Sequence, residues 1–172
     1  VDDLKMTGEE ATLKFIIECL ERTFGKLVIQ RHNFTNCGIR RMQDPDTFRV
    51  TLDQVGYIQA LKKIVHPTIK HAKLDAVVSR ELFEQFMSLR GAVAYCLLTR
   101  GDVYVYVVAL QRLQADGTTF WHIKALNAVV TRLQTFPQYM VHEYLGPYTR
   151  FITFSDAAFK KEFEKGHAVK GR

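Results

Sequence analysis

Val1-Asp2-Asp3-Leu4 sets two adjacent carboxylates between apolar residues, and near the other end Phe154-Ser155-Asp156-Ala157 runs a second apolar stretch into an aspartate. How the first pair is read decides how the chain folds. Successive side chains of a regular strand point to opposite faces, so two neighbouring Asp residues converge on one point only at a tight turn. Read that way, the pair sits at a tight turn and offers oxygen ligands to a hard cation. Read otherwise, it is two surface acids. The residues that follow have to separate the two.

A helix comes next. Thr7-Gly8-Glu9-Glu10 has the spacing of a capping box. Leu13, Ile16, Ile17, Leu20 and Phe24 then recur at helical spacing, Lys14, Glu18, Glu21 and Arg22 fill the other face, and Gly25 is a natural stop. One apolar face predicts packing, most simply on a sheet. Residues 26 to 52 read as strands: Leu27-Val28-Ile29, then Asn33 to Met42, then Phe48 to Leu52 after an Asp44-Pro45-Asp46 turn. Asp53 is placed to cap a short helix through Tyr57, Ile58 and Leu61 that ends near His66-Pro67.

Three longer helices follow. Phe83, Phe86, Met87, Val93, Ala94 and Leu97 mark the first, and Gly91 within it predicts close approach of another helix. Asp102 is expected to cap the second, with Val103, Tyr106, Val107, Leu110 and Leu113 as its stripe. Thr118 or Thr119 opens the third, Leu126, Val129, Val130 and Leu133 lie inside it, and Pro137 ends it. Tyr139 to Leu145 and Arg150 to Phe154, joined by Gly146-Pro147, then read as a hairpin. The fold class this order predicts is α+β, with both ends unfinished.

Composition narrows the function. A hydrophobic content of 47% with 24% charge over 172 residues describes a core-forming protein of one domain or parts of two. No apolar run approaches the ~20 residues of a membrane span, and the first residues are acidic, unlike a signal peptide. An intracellular protein, cytoplasmic or nuclear, is expected, and the lack of an initial Met suggests a piece of something longer. The net charge of +6 favours an anionic partner, most simply nucleic acid. Cys19, Cys37 and Cys96 are far apart and odd in number, which argues against a zinc knuckle and predicts three small buried hydrophobes. Between residues 62 and 73, Lys62, Lys63, Lys70 and Lys73 stand with His66 and His71 and no acid. That stretch is either a solvated loop or a strip that contacts phosphates. The two histidines, five apart with no Cys or acidic companion, do not make a metal site.

The order of these segments resembles the reverse transcriptase of copia-type (pseudovirus) retrotransposon polyproteins, from the catalytic Tyr-Val-Asp-Asp motif to the start of ribonuclease H. Val1-Asp2-Asp3-Leu4 matches the former without its Tyr. Phe34 to Ile39 resembles the family's Phe-Leu-Gly-Ile strand, and Leu52 to Ile58 its Ser-Gln-x-x-Tyr-Ile segment. Phe86 to Tyr95 resembles Tyr-Arg-x-Leu-Val-Gly-x-Leu-x-Tyr, and Thr99-Arg100-Gly101-Asp102-Val103 stands for Thr-Arg-Pro-Asp-Ile. His122 to Leu133 is similar to the helix running from His-Trp-Lys to Arg-Tyr-Leu, and Phe154-Ser155-Asp156-Ala157 to Tyr-Ser-Asp-Ala. Each match is weak alone; seven in order are specific together. Gly101, Ile123 and Ala158-Phe159-Lys160 depart from the family's Pro, Trp and Asp-Trp-Ala, as in a divergent copy.

The resemblance implies three regions: residues 1–53 from the end of the polymerase palm, 54–137 as thumb and connection helices, and 138–172 as the start of ribonuclease H. It implies an RNA-directed DNA polymerase in which two Mg²⁺ ions about 4 Å apart, held by carboxylates, activate the primer oxygen and neutralise the leaving pyrophosphate. Asp2 would be a direct metal ligand and Asp3 a more peripheral one, and Asp156 would be the first ribonuclease H carboxylate. The implied partners are the RNA template, an RNA–DNA or DNA template–primer duplex and the rest of the polyprotein, with no membrane. Lys62, Lys63, Lys70 and Lys73 are the candidate phosphate contacts. The family's earlier palm aspartate and its further ribonuclease H carboxylates have no counterpart in these residues, so the 172 residues alone are expected to be inactive. A non-catalytic nucleic-acid-binding module, relic or domesticated, is the alternative.

Overall fold

The computed structural model describes residues 4–146. Mixed helix and strand are arranged as a four-stranded antiparallel sheet beside a helical core. Helix α1 (Glu10–Phe24) is followed by β1 (Asn33–Asn36), β2 (Ile39–Gln43) and β3 (Val50–Asp53), then by α2 (Val55–Ala60) and the single turn α3 (Thr68–His71). Helices α4 (Arg80–Tyr95), α5 (Tyr104–Gln111) and α6 (Phe120–Thr135) precede the last described strand, β4 (Met140–His142). Among the described residues no helix is long and apolar enough to cross a membrane.

The sheet differs from its sequence reading in two places. Asn33 to Met42 is a hairpin, not one strand: Asn36 pairs with Ile39 across a two-residue turn, Cys37-Gly38. Both turn residues have positive φ, +49° and +73°, the twist a two-residue hairpin needs. Cys37 therefore sits exposed at a turn, and only Cys96 of the three cysteines is fully buried; burial pushes that thiol up to about 11. Leu27-Val28-Ile29 forms no strand. The Leu27 N–H goes to the Glu21 carboxylate (3.3 Å), and Val28 is exposed. The Asp44 turn forms as expected, its Oδ1 accepting the N–H groups of Asp46 (2.9 Å) and Thr47 (2.8 Å). Strand β4 extends the sheet by pairing Met140 with Leu52 and His142 with Val50, so the sheet joins residues on both sides of positions 53 and 138.

Helix α1 starts later than its capping box predicts. Its N-cap is Glu9, and the Glu10 carboxylate that would complete the box pairs with Arg31 at 2.6 Å. Gly25, at φ +85°, ends the helix by giving its N–H to Glu21. No residue of α1 is fully buried: Ile16, Ile17 and Leu20 are half-covered, and Phe15 and Phe24 are exposed.

The core lies elsewhere, where α4 and α5 pack on α6 with α2 against its far end. Phe86, Val93, Val107, Ile123, Leu126 and Val130 are sealed from solvent, each worth roughly 1.5–3 kcal/mol of transfer free energy. Gly91 does not mark a helix crossing. A Cβ built there meets nothing within 4 Å, and the residue faces outward. Asp53 ends β3 one residue before Gln54, the N-cap of α2, rather than being the cap itself; its Oδ1 accepts the Val55 N–H (3.0 Å) while Oδ2 takes Arg40 (2.8 Å).

Polar groups are buried at the joints between elements. Arg100 is fully buried, and its guanidinium forks onto the Asp102 carboxylate (2.8 and 2.9 Å) and reaches the Leu133 carbonyl (3.2 Å). Asp102 is thus committed to Arg100 and lies within the short 3₁₀ turn Gly101–Val103, rather than capping α5. Thr99 donates to Gln54 (2.9 Å), and Gln54 donates to the Tyr95 carbonyl (3.3 Å), tying α2 to the end of α4. The hairpin turn is held from the same side. Tyr57 lies over Gly38, its hydroxyl donates to the Ala92 carbonyl (3.2 Å), and that of Tyr95 donates to the Cys37 carbonyl.

Removing Arg100 should leave Asp102 without its main partner inside a packed corner. Arg100→Ala is expected to lose about 3–5 kcal/mol in urea denaturation. The hydrogen bond from Arg100 holds the Asp102 carboxyl below its ordinary value. Its contribution is therefore full above that value and disappears as pH falls through the lowered one, so acid titration of stability in this range should flatten in the variant.

Candidate nucleic-acid interface

The four lysines singled out in the sequence lie on a segment that α6 holds in place. After α2 the chain runs antiparallel to α6 and is tied to it at three heights. The Gln134 amide donates to the carbonyls of Ile58 (3.1 Å) and Leu61 (2.9 Å). Asn127 clamps Ile64 from both sides, accepting its N–H and donating to its carbonyl, both at 2.9 Å. The Trp121 N–H goes to the Leu74 carbonyl (2.9 Å). Asn127 acts here as a partner strand would, satisfying a backbone pair that would otherwise be orphaned beside the core.

With Ile64 buried and Leu61 and Ile69 half-buried, Lys62, Lys63, Lys70 and Lys73 are left facing solvent. None of the four makes an ion pair among the described residues. The thirteen residues of α6 between the outer ties correspond to about 20 Å at 1.5 Å per residue. The lysines are therefore distributed along an edge comparable in length with about six base steps.

An open groove of about 510 Å³ lies between residues 60–65 and the facing side of α4. Lys62 and Lys63 line one wall, Gln85 and Ser88 the other, with Leu61, Ile64 and Leu89 among the apolar lining and no carboxylate. Two ammonium groups, a hydroxyl and an amide make a donor-rich surface suited to phosphate oxygens. A second concavity of about 390 Å³ beside the hairpin turn contains Arg40 and Asp53, already paired with each other, so its charge is neutralised.

The other expected site residues are placed differently. Asp2, Asp3 and Asp156, the expected Mg²⁺ ligands, lie outside the described residues, so the structure does not describe their geometry. Among the described residues no three His, Cys, Asp or Glu side chains group as metal ligands. His66 contacts Thr68 (2.6 Å between Nδ1 and Oγ1). Gln85, Ser88 and Asn127 were not singled out by the sequence; the only signal was an amide interrupting the apolar stripe of α6. No protein family, curated protein or solved structure matches the chain.

At the N-terminus of α6 the Thr119 N–H donates to His122 Nδ1 (3.0 Å), which requires that nitrogen unprotonated. Burial lowers the His122 pKa. The stabilisation is then full above the ordinary histidine value and is lost as pH falls through the lowered one. Amide exchange in the first turn of α6, corrected for intrinsic rate, should be slow at neutral pH and become faster as pH falls through the lowered value. His122→Asn should remove the difference.

Proposed function

We propose that this chain binds the sugar–phosphate backbone of nucleic acid along the basic edge of α6, as part of a copia-type reverse transcriptase. The observation that carries the binding is the row of exposed lysines beside a groove whose lining holds no carboxylate. The order of the seven sequence segments supports the kind of nucleic acid, an RNA–DNA template–primer duplex, and the assignment of residues 54–137 as the part that grips it. Phosphate contacts of this type give affinity without reading sequence.

Nucleotidyl transfer belongs, in this reading, to the full-length protein, where Asp2 and Asp3 would hold Mg²⁺ and Asp156 would begin the ribonuclease H site. Bound there, the metal would supply Lewis-acid stabilisation of the transferring phosphoryl group. This chain's own contribution is to hold the duplex in register with that site.

Four phosphate contacts predict that log affinity for an RNA–DNA hybrid falls with log salt at a slope of about −3 to −4, independent of base sequence. Lys62→Ala with Lys63→Ala should make the slope shallower by about 2. Affinity unchanged between low and high salt would count against the reading. On a poly(A)/oligo(dT) hybrid with Mg²⁺ the 172 residues alone should extend no primer; robust synthesis would show that the expected division of labour is mistaken.

A further inference from the structure

The chain's single tryptophan lies at the end of the basic edge and is more than half exposed, 55%, in the first turn of α6. A tryptophan so open to water loses the burial that usually stabilises it. Yet its position is closely set. Its backbone N–H is bound to Leu74, next in sequence to Lys73, and its ring stands perpendicular to that of His122 at 5.1 Å. Lys124, three residues on, is its neighbour on the helix surface and is exposed. Asp75 is the one acid in the segment from Lys62 to Asp75.

An exposed indole flanked by lysines answers the chemistry of an unpaired nucleotide. The base stacks on the ring and its phosphates meet the ammonium groups. A paired base buries its faces against its neighbours and cannot do this without unstacking. An acidic peptide would satisfy the lysines but would leave the indole without a stacking partner.

We propose that Trp121 is a stacking platform for a base of single-stranded nucleic acid, with Lys73 and Lys124 holding the adjoining phosphates. This rests on the reading of the basic edge as a nucleic-acid interface and adds to it a place where the duplex gives way to single strand.

Because Trp121 is the only indole, its fluorescence reports the contact directly. The full chain is titrated with a single-stranded oligonucleotide of roughly twelve nucleotides, a site of ordinary size. Parallel titrations use an abasic strand of equal length, a blunt RNA–DNA hybrid and polyglutamate of equal charge. Saturable quenching by the base-containing strand, and little by the other three, is the expected result. Trp121→Ala should weaken single-strand binding about tenfold, with Trp121→Phe recovering most of it and hybrid affinity unmoved. Trp121 is not one of the buried core residues, so unchanged circular dichroism is expected in both variants. Salt-dependent binding without quenching, or with equal quenching by polyglutamate, overturns the stacking assignment while leaving the basic edge intact. Wild-type protein that binds neither strand nor hybrid overturns both.

Discussion

The constraint on which the rest of the structure depends is the satisfaction of one buried guanidinium. Arg100 has no exposed surface, and a charge so placed is tolerated only if its donors are met. Asp102 supplies a two-pronged acceptor two residues away, and the Leu133 carbonyl supplies another from the far end of α6. Arg132 adds a second cation to the same carboxylate at 3.5 Å. The corner between α4 and α5 is thereby fixed against the C-terminal end of α6. Through Thr99 and Gln54 the same corner reaches the start of α2, and through Tyr57 and Tyr95 the hairpin turn of the sheet. A network like this adds little net stability over an apolar core, but it permits few arrangements, because any other leaves a buried polar atom unmatched.

What this does for the surface follows from the position of α6. One side of the helix fills the core with Ile123, Leu126, Val130 and Leu133. A flank carries Trp121, Asn127 and Gln134, which hold the segment after α2 by its backbone. Backbone ties leave side chains free, so the lysines of that segment remain available to solvent. Had Lys62 or Lys63 been used to hold the segment by salt bridges, their charge would have been neutralised. The basic edge is a consequence of anchoring through amides.

The legible parts of the fold were those in which local pattern and burial coincide. The stripes of α4 and α6 are long and periodic, and Leu82, Phe86, Leu89 and Val93 on one, with Leu126, Val130 and Leu133 on the other, enter the core. Short segments were less legible because their state depends on a partner. Leu27-Val28-Ile29 has the composition of a strand but pairs with no strand among the described residues. Asn33 to Met42 has the composition of one strand, but Cys37-Gly38 adopts the positive φ angles that fold it in two. Asp102 has the type and position of a helix cap and is drawn to Arg100. In each case the outcome turns on a specific partner or backbone geometry that outweighs a single-residue preference worth about 1 kcal/mol.

The sequence by itself determined the mixed helix-and-strand class, the places of the long helices and the cationic character of the segment from Lys62 to Lys73, since these depend on residue type and spacing alone. Tertiary structure alone decided that this segment lies along α6, that it faces Gln85 and Ser88 across a groove, and that Trp121 stands open at its end. Those relations join residues up to 76 positions apart through amide and backbone hydrogen bonds. Hydrogen-bond partners of that kind carry no period and no local signature, so only the folded chain brings them together.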